Sequence, residues 1–91
     1  NTNMHYLMQH IERYLMSCRE LTAFCSQSGW IDNNSLRYEV IEQNDSHVIA
    51  FVQFDEILME GSRCVPARIP CQGRLCLKLD HYGRVSHAKL L

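Results

Sequence analysis

The chain changes its hydrophobic period once, near residue 30. Before that point apolar residues recur at spacings of four and three: Leu7, Ile11, Tyr14, Cys18, Leu21 and Cys25. At about 100° per residue they form one stripe, with Met4, Met8, Leu15 and Thr22 along a flank and Gln9, Glu12, Arg13, Arg19, Glu20 and Gln27 opposite. The pattern predicts one amphipathic helix over residues 3–27, capped by Thr2 or Asn3. Gly29 followed by Trp30 predicts a left-handed stop with the indole folded back on the helix. Few complementary charges line the stripe, so it is expected to pack on a sheet rather than in a coiled coil.

The segment 31–35 reads as a polar turn, and after it the period is two. Leu36, Tyr38 and Val40 alternate with Arg37 and Glu39 as a half-exposed strand. Asn44-Asp45 predicts a hairpin turn. Residues 47–54 are apolar on both faces, which predicts a central strand, and residues 60–62 turn. Val65, Ala67 and Ile69 alternate next, and Pro66 and Pro70 demand an edge or a bulge. Leu75, Leu77 and Leu79 mark a further strand, Asp80-His-Tyr-Gly83 a hairpin loop, and residues 84–91 a last strand. Short connections make neighbours antiparallel. The expectation is a single α+β domain over residues 1–91: one long N-terminal helix on a curved antiparallel sheet of four to five strands.

Residues 77–85, Leu-Lys-Leu-Asp-His-Tyr-Gly-Arg-Val, place an alternating strand before an Asp-x-x-Gly-Arg hairpin and a closing strand. In this feature the region 47–91 resembles the nuclear transport factor 2-like superfamily, which includes small isomerases. The resemblance implies a helix lying in the hollow of a bent sheet. A cystatin-like roll, one helix wrapped by a meander, accounts for the same pattern. No acid or base of the family aligns with a motif here.

Composition narrows the picture further. The 91 residues are 46% apolar and 21% charged, as in a globular domain, and no apolar run is long enough to cross a membrane as a helix. Residues 1–10 contain no basic start followed by an apolar stretch, so no secretory signal is read there. The five cysteines, at 18, 25, 64, 71 and 76, include no C-x-x-C pair. They are expected to be free thiols in a reducing cytoplasm, with no metal and no cofactor.

Two constellations could carry function. Asp55-Glu56 ends the most apolar strand, and an acid there could act as a base. The candidate is Asp55, with Tyr38 or His87 as hydrogen-bonding partner. Neighbours on a strand point to opposite faces, which weighs against both acids sharing a pocket and favours a solvated strand end. The second constellation is charge. The total of −1 divides into three arginines against nine acids in residues 1–60, net −6, and six basic residues against Asp80 in residues 61–91, net +5. Arg63, Arg68, Arg74, Lys78 and Arg84 therefore form a candidate binding set, and cross-strand pairing with the earlier acids is the simpler reading. The leading expectation is a non-catalytic binding or assembly module, a homodimer joined through the sheet face, with a protein or small apolar ligand as a further possible partner. The alternatives are a small isomerase- or hydratase-like acid/base enzyme, or a polyanion-binding domain. Tyr82 is the sole aromatic among the late basic residues, which disfavours nucleic acid.

Overall fold

The apolar stripe at the N-terminus is continuous, but the helix beneath it is not. The computed structural model describes residues 4–27, 29–59 and 66–91. Within them, α1 spans Met4–Leu15 and is followed by a 3₁₀ helix, Arg19–Phe24. The predicted single helix over 3–27 is therefore corrected. Backbone bonding steps from i→i−4 at Met16, which donates to Glu12, to i→i−3 at Ser17 and Cys18, which donate to Tyr14 and Leu15. Cys18 then leaves helical geometry, with φ −81° and ψ 112°. Ser17, Cys18 and Thr22 are weak helix formers. A 3₁₀ helix aligns residues i and i+3, so it keeps Leu21 and Phe24 on the sheet as an α-helix would. Leu7, Ile11, Leu15, Cys18 and Leu21 are all buried, so the stripe survives the change of helix type. Gly29 does not supply the expected left-handed stop, because Gly83 is the one described residue at positive φ. Trp30 is not folded back either: it is 66% exposed and opens the first strand.

The greater part of the chain is sheet. β1 (Trp30–Gln43), β2 (His47–Leu58), β3 (Ala67–Leu79) and β4 (Val85–Leu90) form one antiparallel sheet in chain order. A mainly β structure with one short helix thus replaces the expected long helix on a sheet of four to five strands. The polar segment 31–35 is not a turn between elements. It lies inside β1, where the register jumps from Asp32 opposite Asp55 to Arg37 opposite Gln53. The Ser35 hydroxyl donates to the Asp32 carbonyl (2.7 Å) and accepts from the Asp55 N–H (2.8 Å), so the bulge carries its own bonds. The two strands read around Pro70 are one strand. β4 pairs with Leu75–Leu79 alone, which leaves the outer edge of β3 free at Pro70, where a missing N–H costs no ladder bond.

Both hairpins form as the sequence indicates. Asn44 accepts at Oδ1 from the Ser46 and His47 N–H groups, and Asp80 accepts at Oδ1 from the Tyr82 and Arg84 N–H groups. Gly83 supplies the positive φ of 80° that the second loop needs. The caps at Thr2 or Asn3, the turn at 60–62, and Arg63, Cys64 and Val65 lie outside the described residues.

The period of two sorts β2 cleanly. Val48, Ala50, Val52, Phe54 and Glu56 are buried beneath the helical segments, while His47, Ile49, Phe51, Gln53, Asp55 and Ile57 are half-buried on the opposite face. β3 continues both sets: Cys71, Leu75 and Leu77 lie on the helical side, and Arg68, Gln72, Arg74, Cys76 and Lys78 on the other. The helical segments thus cover one face and leave the second open.

Candidate functional site

One acid lies on the buried side of β2. Glu56 is fully buried, and the alternation that begins at Val48 places it there. A buried carboxylate needs donors, and the segment leaving the 3₁₀ helix supplies them. Oε1 accepts from the Ser26 N–H (2.9 Å), the Ser26 hydroxyl (3.3 Å) and the Gln27 N–H (3.4 Å). Oε2 accepts from the Gly29 N–H (2.8 Å) and the Gln27 N–H (3.2 Å). Burial pushes the Glu56 carboxyl up, but the backbone donors of Gly29, Ser26 and Gln27 and the Ser26 hydroxyl outweigh it and hold the group below its ordinary value. The anion clamps Ser26, Gln27 and Gly29 against the sheet.

Gly29 fits this clamp because it lacks a side chain. A β-carbon there would stand 2.5 Å from the Ile57 carbonyl oxygen.

Two thiols border the same carboxylate. Cys25 closes the 3₁₀ helix and Cys71 lies on β3 opposite Phe54. One ligand atom from each of Cys25, Glu56 and Cys71 lies within 4.8 Å of the other two. Cys71 Sγ is 3.8 Å from Glu56 Oε1. Burial, then the Glu56 charge and the neighbouring Cys71, push the Cys25 thiol up to about 11. Burial and Glu56 push Cys71 up as well. Both are thiols at neutral pH and poor nucleophiles, and the carboxylate beside them, held below its ordinary value, is too weak a base to activate them.

The residues selected for acid/base chemistry do not meet. Asp55 faces the open side, where Arg68 Nε lies 3.2 Å from its Oδ2. Tyr38 lies on the helical side, its hydroxyl 3.3 Å from both the Met8 carbonyl oxygen and Glu12 Oε2. It borders an open groove of about 400 Å³ between α1 and β1, lined also by Leu15, Met16, Leu36 and Arg37. Burial and Glu12 push the Tyr38 hydroxyl up to about 12. His87 sits opposite Lys78, which in turn faces His47, eight residues along β2 from Asp55. At about 3.3 Å per residue that is roughly 26 Å away.

The basic set divides into paired and unpaired members. Arg68 is spent on an ion-pair bridge to Asp32 and Asp55, spanning β1, β2 and β3. Arg84 lies in the second hairpin loop, 3.8 Å from Asp80 and over the Tyr82 ring at 5.1 Å. Arg74 and Lys78 share the open face of β3 and make no ion pair among the described residues.

Cross-strand register turns this face into rows. Glu39 lies opposite Phe51 and Phe51 opposite Arg74. Glu42 lies opposite Ile49, Ile49 opposite Cys76 and Cys76 opposite Lys89. Each row runs from an acid on β1 through apolar centres to a base on β3 or β4. Toward the far end of the sheet, exposed Trp30 lies opposite Ile57. Lys89 and Glu56 were missed from sequence, although their strand parity was legible in it. No described helix is long and apolar enough to cross a membrane. Compared with family models, with curated proteins and with solved structures, the chain matches none, and its reading rests on this geometry.

Proposed function

We propose that this domain is a non-catalytic assembly module that pairs with a second copy of itself through the open sheet face. The observation that carries it is the pair of rows Glu39–Phe51–Arg74 and Glu42–Ile49–Cys76–Lys89. A two-fold axis running along the strands, between two stacked sheets, carries the β1 side of one copy over the β3–β4 side of the other. With the axis over β2 it sets Glu39 against Arg74 of the second copy, brings the Ile49 and Phe51 centres together, and leaves Lys89 one strand outside Glu42. Burial of apolar surface at about 25 cal/mol per Å² would supply the affinity. The flanking charges, each worth about 0.2–1 kcal/mol when exposed, would set the orientation. The accessible surface of 6247 Å² is also larger than the roughly 5,500 Å² expected of a monomer of this mass. The four described cysteines are free, which supports a reducing, cytoplasmic setting.

An acid/base enzyme is less well supported. Glu56 is the buried carboxylate among the described residues, and Ser26, Gln27 and Gly29 donate to it on the helical side, away from Asp55 and His87.

Charge reversal tests the pairing. Sedimentation equilibrium of the wild-type chain at micromolar concentration is expected to give a dimer. Arg74→Glu should weaken it about tenfold or more, and adding Glu39→Arg to that variant should restore it. A wild-type monomer, or a double variant no stronger than the single, overturns the reading.

A further inference from the structure

Cys25, Glu56 and Cys71 gather three ligand atoms within 4.8 Å of one another, about an ångström wider at most than one face of a small tetrahedral metal site. A zinc ion with bonds of about 2.3 Å to sulfur and about 2.0–2.2 Å to oxygen places its ligands roughly 3.6 Å apart for sulfur and oxygen and roughly 3.8 Å for two sulfurs. Cys71 Sγ and Glu56 Oε1 stand 3.8 Å apart, and all three ligand atoms lie within 4.8 Å of one another. Cys71 Sγ also lies 3.5 Å from the Ile69 carbonyl oxygen, so among the described residues its thiol has no other side chain to serve than Glu56 and Cys25. The three residues come from the end of the 3₁₀ helix, β2 and β3, so their meeting is a property of the fold and not of a local sequence motif.

We propose that Cys25, Glu56 and Cys71 bind a thiophilic divalent cation of the zinc class, with water completing the coordination on the half-buried side of Cys25. The donor set suits such an ion: two sulfurs select soft or borderline metals over magnesium and calcium, and the carboxylate supplies a third, harder ligand. The orienting shell is already built. The Gly29 N–H at 2.8 Å and the Gln27 N–H at 3.2 Å hold Oε2, while the Ser26 N–H at 2.9 Å holds one side of Oε1. The longest contacts to Oε1, from the Ser26 hydroxyl at 3.3 Å and the Gln27 N–H at 3.4 Å, are those a cation at that oxygen displaces. Binding breaks two S–H bonds and forms two metal–sulfur bonds. Both protons pass to solvent, and no electron is transferred.

This site lies on the helical side of the sheet and stands independently of the assembly face. Cadmium and zinc ions alone are the probes, added to the fully reduced chain at neutral pH. Cadmium is expected to saturate at about one ion per chain with thiolate-to-metal charge-transfer absorption. The absorption should fall by about half in Cys25→Ser and in Cys71→Ser, vanish in the double variant, and persist in Cys76→Ser and Cys18→Ser. Zinc should slow oxidation of the Cys25–Cys71 pair by glutathione disulfide about tenfold or more, because the ion must leave first. A wild-type chain that gives no absorption overturns the proposal. So does absorption that survives the double substitution, or a pair that oxidises equally fast with and without zinc.

Discussion

Gly29 and Glu56 fit each other at two points. The Gly29 N–H lies 2.8 Å from Glu56 Oε2, and a β-carbon on Gly29 would stand 2.8 Å from Glu56 Cγ. One residue thus gives the buried carboxylate its shortest hydrogen bond because it has no side chain. Gly29→Ala also sets a methyl 2.5 Å from the Ile57 carbonyl oxygen, which belongs to the sheet backbone. The expected loss is about 1–3 kcal/mol, read as a lower urea midpoint at unchanged slope. A variant as stable as the wild type would show that β2 yields at this point.

Glu56→Gln puts an amide where two oxygens now accept. It is expected to lower Tm at pH 7 by at least about 5 °C. The folded carboxyl is held below its ordinary value of 4.5, so its stabilisation is present above that pH and is lost as pH falls through the lower folded value. The Tm gap between wild type and variant should therefore be full at pH 6–7 and close in acid. A gap that stays constant to pH 2 contradicts a charged clamp.

Arg68 bridges Asp32 and Asp55 at the surface, where water screens the pairs and the fold does not depend on them. Arg68→Ala should move Tm by less than about 4 °C, and the shift should shrink in 1 M salt. A larger or salt-insensitive loss would assign the bridge a structural weight that its exposure denies.

Tyr38 should ionise late. With its hydroxyl pushed up to about 12 by burial and Glu12, the folded state favours the neutral form. That contribution is complete below the ordinary value of 10.0 and is lost as pH rises through about 12. Ultraviolet titration should show a phenol step near pH 12 that is absent in Tyr38→Phe. A Tyr38→Phe curve that retains the late step reassigns it.

Legibility in the sequence was uneven, for physical reasons. Strand alternation and both hairpins could be read because side-chain parity and turn chemistry are local. The helix break at Ser17 could not, because residues three apart satisfy an α-helix and a 3₁₀ helix alike. Pro70 takes the edge position its missing N–H demands, but the strand runs on through it, because β4 stops short of that point. For the site, the choice between Asp55 and Glu56 turned on parity. Counting from Val48 places Glu56 among buried residues, but apolar residues on both faces of β2 concealed which face that was. Nothing local indicated that Cys25 and Cys71, far apart in the chain, share one carboxylate.

The Glu56 clamp also divides the molecule by stability. Ser26, Gln27 and Gly29 hold to the sheet through hydrogen bonds that reach 27 to 30 positions along the chain to a single anion. Release of those bonds frees the segment after the 3₁₀ helix sooner than the helix itself, which Leu21 keeps in the core. The amides of Ser26, Gln27 and Gly29 then exchange with solvent through a partial opening, at a lower free energy than the amides at the centre of β2. The N-terminal layer is thus held along its length by a buried apolar stripe and at its end by one buried negative charge.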